Sequence, residues 1–164
     1  MAPDNDRTLV FFGRMTANLT HEIKNILAII RESAGLMKDV TAISPLSAQR
    51  LQETLEKTVA TIESQIQRGM VLTNHFNRFA HAPDASRAEL DLIETVEQVC
   101  VLCDRFARLK NIHLNFGSPV SASKSINFTT HPVKLFMSLF FGIESCISAL
   151  PAECVITVTA EIKD

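Results

Sequence analysis

Among the side chains in this sequence that could do chemistry, His21, Glu22 and Asn25 stand closest together, in Leu19-Thr-His-Glu-Ile-Lys-Asn-Ile-Leu27. A neutral imidazole nitrogen is a nucleophile near neutral pH, and a neighbouring carboxylate can orient such a ring or take its proton. His21 is two residues from Leu19 and two from Ile23, which on a helix is about 200° of rotation from either. With those two side chains turned inward, the ring points to solvent. Lys24 and Asn25 lie one turn further on and share that small exposed surface. His-Glu-x-x also begins a zinc-protease signature, but position 25 is Asn rather than His, which leaves one ligand where two are needed. Cys100 and Cys103 form a C-x-x-C. Both fall inside an apolar helical period, with no second Cys/His pair at zinc spacing and no strand leading in, so they read as core thiols. His75, His81, His113 and His131 have no comparable surroundings and read as surface or helix-end residues.

The elements that must position His21 follow from hydrophobic spacing. From Leu9 to Met37, Phe12, Met15, Leu19, Ile23, Ile26, Ile30, Ala34 and Met37 recur every three or four residues, the period of one long amphipathic helix. Residues 39–45 break the period, and Ser44-Pro45 supplies an N-cap and a first helical residue for a second helix. Leu51, Leu55, Thr58, Ile62, Ile66, Met70, Thr73, Asn77 and Ala80 then continue the spacing. At 1.5 Å per residue, the stretch from Pro45 to Ala80 reaches on the order of 50 Å. Two such helices make an antiparallel hairpin that covers only part of each stripe. Pairing two hairpins into a four-helix bundle covers the rest, so a homodimer is expected. Pro83 ends the helix, which makes 81–89 a linker between a helical hairpin at 1–80 and a second unit at 90–164. In that unit Asp91 and Glu94 form a capping-box-like helix start, and Leu92, Val96, Val99, Cys103 and Phe106 mark its core face. Residues 112–116 and 126–130 read as strands that could pair. A helix from Pro132 is expected to bury Leu135, Leu139, Ile143, Cys146 and Leu150, and 155–162 is the clearest strand. The fold class is therefore α+β: a long antiparallel hairpin in a dimeric bundle, then a small incomplete α/β sandwich.

Bulk properties exclude several partners. With 46% hydrophobic and 21% charged residues and a net charge of −2, the chain has neither the basic field that holds nucleic acid nor a polybasic stretch for an anionic membrane. The apolar run from Leu135 to Ile143 is shorter than the roughly 18 to 20 residues of a membrane span. The start, Met-Ala-Pro-Asp-Asn-Asp-Arg, lacks the features of a secretory leader, so the reducing cytoplasm is expected and the four cysteines read as thiols.

The stretch from Leu19 to Leu27 resembles the phosphorylation box of sensor histidine kinases of two-component systems, in the His-Glu-Ile-Lys-Asn form found in the nitrogen-regulation type. A proline usually follows the Asn there, and here the position is Ile26, which implies a straighter helix. The resemblance implies that His21 carries a phosphoryl group exchanged with the aspartate of a response-regulator receiver domain and that Glu22 orients the ring or accepts its proton. It also implies that Asn25 positions water to hydrolyse the receiver's acyl phosphate. It extends in element order to 90–164, which looks like the family's ATP-binding domain, where a helix carries two asparagines that hold magnesium and phosphates. Those positions fall on Phe141 and Ser145, with Glu144 beside them, and Phe141 cannot ligate a cation. No glycine follows Gly142, whereas the family's later boxes are glycine-rich. The expectation is a degenerate or truncated domain with no cofactor in this chain, ATP and magnesium entering only if a missing C-terminal part completes the site. The alternatives are a fragment of an active ATP-dependent kinase and a non-catalytic dimerisation or receiver-binding module. Receiver docking is expected beside His21, on the side carrying Arg14, Ala28 and Glu32.

Overall fold

The computed structural model describes residues 3–42, 48–117 and 125–160. Helix α1 runs Pro3–Ala42 and α2 runs Ala48–Ala80. A single 3-10 turn at Ala82–Asp84 leads into β1 (Ala88–Asp91), α3 (Leu92–Arg108), β2 (His113–Gly117), β3 (Asn127–Thr130), α4 (Pro132–Ala149) and β4 (Val155–Thr159). The first helix continues through residues 39–42, where the apolar period had suggested a break. The expected Ser44-Pro45 start of the second helix lies outside the described residues.

The chain divides into two compact units, one of residues 19–74 and one of residues 1–18 with 75–164, so both long helices contribute to both. In the first unit, the two helices bury Leu19, Ile26, Thr58 and Leu72. Gly69 faces Ile26, and a Cβ there would sit in ordinary van der Waals contact, 3.7 Å from Ile26 Cγ2. Leu27, Ile66 and Met70 remain 59%, 49% and 56% exposed.

In the second unit, α3 and α4 pack beside two small ladders. β1 pairs antiparallel with β3, and β2 pairs parallel with β4. The strand at 126–130 therefore joins residues 88–91 rather than 112–116. Asp91 explains the choice: its Oδ1 caps α3 by accepting from the Ile93 N–H at 2.8 Å and also accepts from the Ile126 N–H at 3.3 Å. Glu94 does not complete the capping box and instead pairs with Arg78 at 3.2 Å. The parallel ladder needs Gly117, because a Cβ there would meet Thr159 Cγ2 at 2.8 Å.

The core of this unit is aromatic. Phe11 of α1, Phe79 of α2 and Phe140 of α4 are each 1% exposed, with centroids 5.5 Å apart for Phe11–Phe79 and 5.2 Å for Phe11–Phe140. The buried side of α4 carries Phe136, Phe140, Ile143 and Ile147. Of the expected stripe Leu135, Leu139, Ile143, Cys146 and Leu150, only Ile143 is buried, and the rest of the buried side lies one residue away because the large phenylalanines fill the space facing α1 and α2. By length and composition alone, α4 could cross a membrane, contrary to the expectation from its longest uninterrupted run, but its phenylalanine face is committed to this core. Lys110 closes its C-terminal end by donating to the carbonyls of Ile147 and Ser148, each at 3.3 Å.

Candidate functional site

The helical period that buries Leu19 and Ile26 decides what the residues between them do. His21, Lys24 and Asn25 come to the surface of α1, and Glu22, three residues after Leu19 and four before Ile26, turns inward. Glu22 is 5% exposed, and its carboxylate is ion-paired with the Arg68 guanidinium from α2. The structure thus groups His21, Lys24 and Asn25 on one exposed face and commits Glu22 to the interior of the helix pair. Successive helical side chains are about 100° apart and do not face each other, which accounts for the separation of His21 from Glu22.

Arg68 escaped the sequence reading. The signal was present as an inconsistency in the second stripe: between Ile62 and Leu72, both core spacings, the inward positions fall on Gln65, Arg68 and Gly69. A charge at such a position asks for an opposite charge on the facing helix, and Glu22 was the acidic residue on the matching stripe of α1.

Beside this face, Ile23, Ile26, Leu27, Ile30, Ile66 and Met70 line much of a groove of about 420 Å³ along the helix pair. Several of these side chains are among the most exposed large apolar groups described.

Cys100 and Cys103 are buried free thiols on α3. Burial, and next the charge of Glu97, pushes the Cys100 thiol up to about 11, and burial pushes Cys103 up as well. Such thiols are inert at neutral pH.

The nucleotide and magnesium implied by the resemblance can be tested on α4. Phe141 is half-buried at the edge of the aromatic core, 6.2 Å from the Phe11 ring and 5.2 Å from Phe140. The Ser145 hydroxyl donates to the Phe141 carbonyl at 2.7 Å. Glu144 is ion-paired with Arg14 of α1, so Arg14 is also not a free cation beside His21. A phenyl ring, a hydroxyl turned onto its own helix and a neutralised carboxylate do not fit a magnesium–phosphate group.

Residues 13–84 match the family model of the His Kinase A (phospho-acceptor) domain. The match includes His21, Glu22, Asn25 and Arg68 and stops at the 3-10 turn before β1. No curated protein matches the chain significantly.

Proposed function

We infer that this chain, whose residues 13–84 are a phospho-acceptor domain of the sensor histidine kinase family, carries phosphate on His21 and exchanges it with the aspartate of a response-regulator receiver domain. The observation that supports this most is the division of labour on one helical turn. Within the matched segment, the imidazole of His21 stands in solvent while Glu22 beside it is held inside. A phosphoryl carrier must be reachable by a second protein, and it must sit on a turn that does not move.

In the transfer, a ring nitrogen of His21 attacks the receiver's acyl phosphate. The N–P bond forms as the P–O bond to the aspartate breaks, and the electron pair leaves on the aspartate carboxylate. The ring keeps the proton on its other nitrogen and becomes cationic. Asn25, one turn on and on the same face, is placed to hydrogen-bond a water attacking the acyl phosphate, which gives removal of phosphate as a second outcome. Glu22 contributes from the interior: paired with Arg68, it pins the turn that presents His21.

The working form in this reading is a homodimer. The groove lined by Leu27, Ile66 and Met70 is covered by a second helix pair, each fully buried side chain of this kind stabilising by roughly 1.5 to 3 kcal/mol. ATP and magnesium take no part, and the compartment is the reducing cytoplasm. The test is to incubate labelled phospho-receivers with the wild type and with Asn25→Ala. Wild type removes the receiver's label, and Asn25→Ala still takes label onto His21 but hydrolyses the receiver's acyl phosphate more slowly. Receivers that keep their label with both proteins would sink the reading.

A further inference from the structure

The face of α4 that does not fit a nucleotide is covered in large part by the chain's own first helix, although Met137 and Phe141 also border a cavity of about 480 Å³ that Arg7, Ser86, His131 and Lys134 help to line. Met137, Phe140, Phe141 and Glu144 recur at steps of three, one and three, so they form one side of α4. Each meets α1. The Thr8 hydroxyl lies 3.6 Å from the Met137 sulfur, Phe11 packs on Phe140 and Phe141, and Arg14 pairs with Glu144. Thr8, Phe11 and Arg14 are likewise spaced by three, so two matching helical stripes meet along about two turns. The Arg14 guanidinium also sits over Phe140 and Phe106, at 5.4 and 5.9 Å from their centroids. One further turn along α1, Asn18 is 4% exposed. It donates to the Leu102 carbonyl at 3.0 Å and accepts from Arg105 at 3.2 Å, so α3 holds the helix as well.

We propose that the α/β unit is a fixed clamp on residues 8–18 of the first helix, in which α1 occupies the side of α4 that a nucleotide would need. The side chains that make the clamp are the ones that spoil the site. Phe141 gives an aromatic contact where a cation ligand would stand, and Glu144 is neutralised by Arg14. A domain that delivers a nucleotide to a histidine must detach and travel. This one is tied by an ion pair, a cation over two rings, a buried asparagine with two partners and a shared aromatic core, and it stays on residues 8–18 while His21 reacts. That last statement rests on the reading of His21 given above, whereas the clamp itself does not.

Hydrogen exchange of the full chain tests it, comparing wild type, Glu144→Arg, and the swap Arg14→Glu with Glu144→Arg, each with and without millimolar ATP and magnesium. In wild type, residues 8–18 and α4 are protected together and the nucleotide changes neither. Glu144→Arg raises exchange in both segments at once, by about tenfold or more, and the swap restores protection. If Glu144→Arg does not fold, Arg14→Gln removes the pair without adding a repelling charge and is read the same way. Unchanged protection of 8–18 in the single variants would overturn the clamp. Protection of α4 by ATP with simultaneous loosening of 8–18 would overturn it too, since α1 would then be a displaceable lid on a working site. Labelling of His21 by phosphoramidate, a small P–N donor that releases ammonia as the ring nitrogen takes the phosphoryl group, is run on wild type in parallel. Failure there refutes the carrier reading and leaves the clamp untouched.

Discussion

Replacing Arg68 with Met removes the charge opposite a carboxylate that is only 6% exposed in its side chain. Breaking a fully buried ion pair by removing one partner costs about 3–5 kcal/mol, whereas exposed pairs are worth about 0–1 kcal/mol. The Arg68 side chain is 37% exposed, so solvent already screens one end of the pair, and the expected loss for Arg68→Met is about 2 kcal/mol. Glu22→Gln is not its mirror image. The amide keeps the shape of the carboxylate, and the long arginine stem lets the guanidinium turn into water, so the loss is about 0–1 kcal/mol. Urea denaturation of both single variants and the double variant measures this directly. With a slope of about 1–3 kcal/mol per molar for a small protein, Arg68→Met lowers the midpoint by about 1 M. The double variant loses less than Arg68→Met alone, because no uncompensated carboxylate is left. A loss under about 0.5 kcal/mol for Arg68→Met, or a larger loss for Glu22→Gln than for Arg68→Met, would refute the claim that the pair holds the turn carrying His21.

Other expectations come from the second unit. The His75 pKa is lowered from 6.5, first by burial, with Arg78 adding to the shift and Glu97 and Glu94 opposing it. The unfolded chain therefore binds the proton more readily, so His75 contributes stability that is complete above about pH 6.5 and declines as pH falls through the folded value. Urea midpoints at pH 7.5 and 5.5 should differ more in wild type than in His75→Gln, and equal differences would show that His75 is not the group responsible. Glu153 holds a positive φ of 66° while its N–H donates to the Asn111 carbonyl at 2.8 Å. Asparagine tolerates that backbone better, so Glu153→Asn raises stability by a few tenths to about 1 kcal/mol in the same assay, and a loss would contradict the strain. With Cys100 pushed up to about 11, about one molecule in a thousand carries that thiolate at pH 8. Native alkylation should modify exposed Cys146 and spare Cys100 and Cys103 until the protein is unfolded, and equal rates at Cys100 and Cys146 would show the burial argument to be wrong.

The long helices were legible because a 3.6-residue period sustained over thirty residues outweighs local ambiguity, and so was the exposure of His21, which was read from its angle to Leu19 and Ile23. What failed was finer. The stripe on α4 was placed one residue off because leucines and phenylalanines alternate along it, and only the volume available against α1 selects the phenylalanines. The strand at 88–91 was hidden in what read as a linker, since a four-residue edge strand containing Glu89 and Asp91 has no alternation to detect. Its partnership with 127–130 depends on Asp91 serving two elements at once. Arg68 drew no reading, Arg14 read as part of a docking face and Glu144 as a neighbour of the nucleotide positions, because a sequence shows period but not the partner across the gap. The inward position of Glu22 could have been read from its spacing, three residues after Leu19 and four before Ile26, both core residues.

The central claim is that His21 is the atom-bearing site of phosphoryl exchange. The most direct test is to expose wild type and His21→Ala to phosphoramidate and to a labelled phospho-receiver, and to map the modified residue by peptide analysis under alkaline conditions. The account predicts an acid-labile phosphate on His21 in wild type from either donor and none in His21→Ala, with the variant's folded stability unchanged because the ring it loses stands in solvent. Label at another residue, or equal label in His21→Ala, would contradict it.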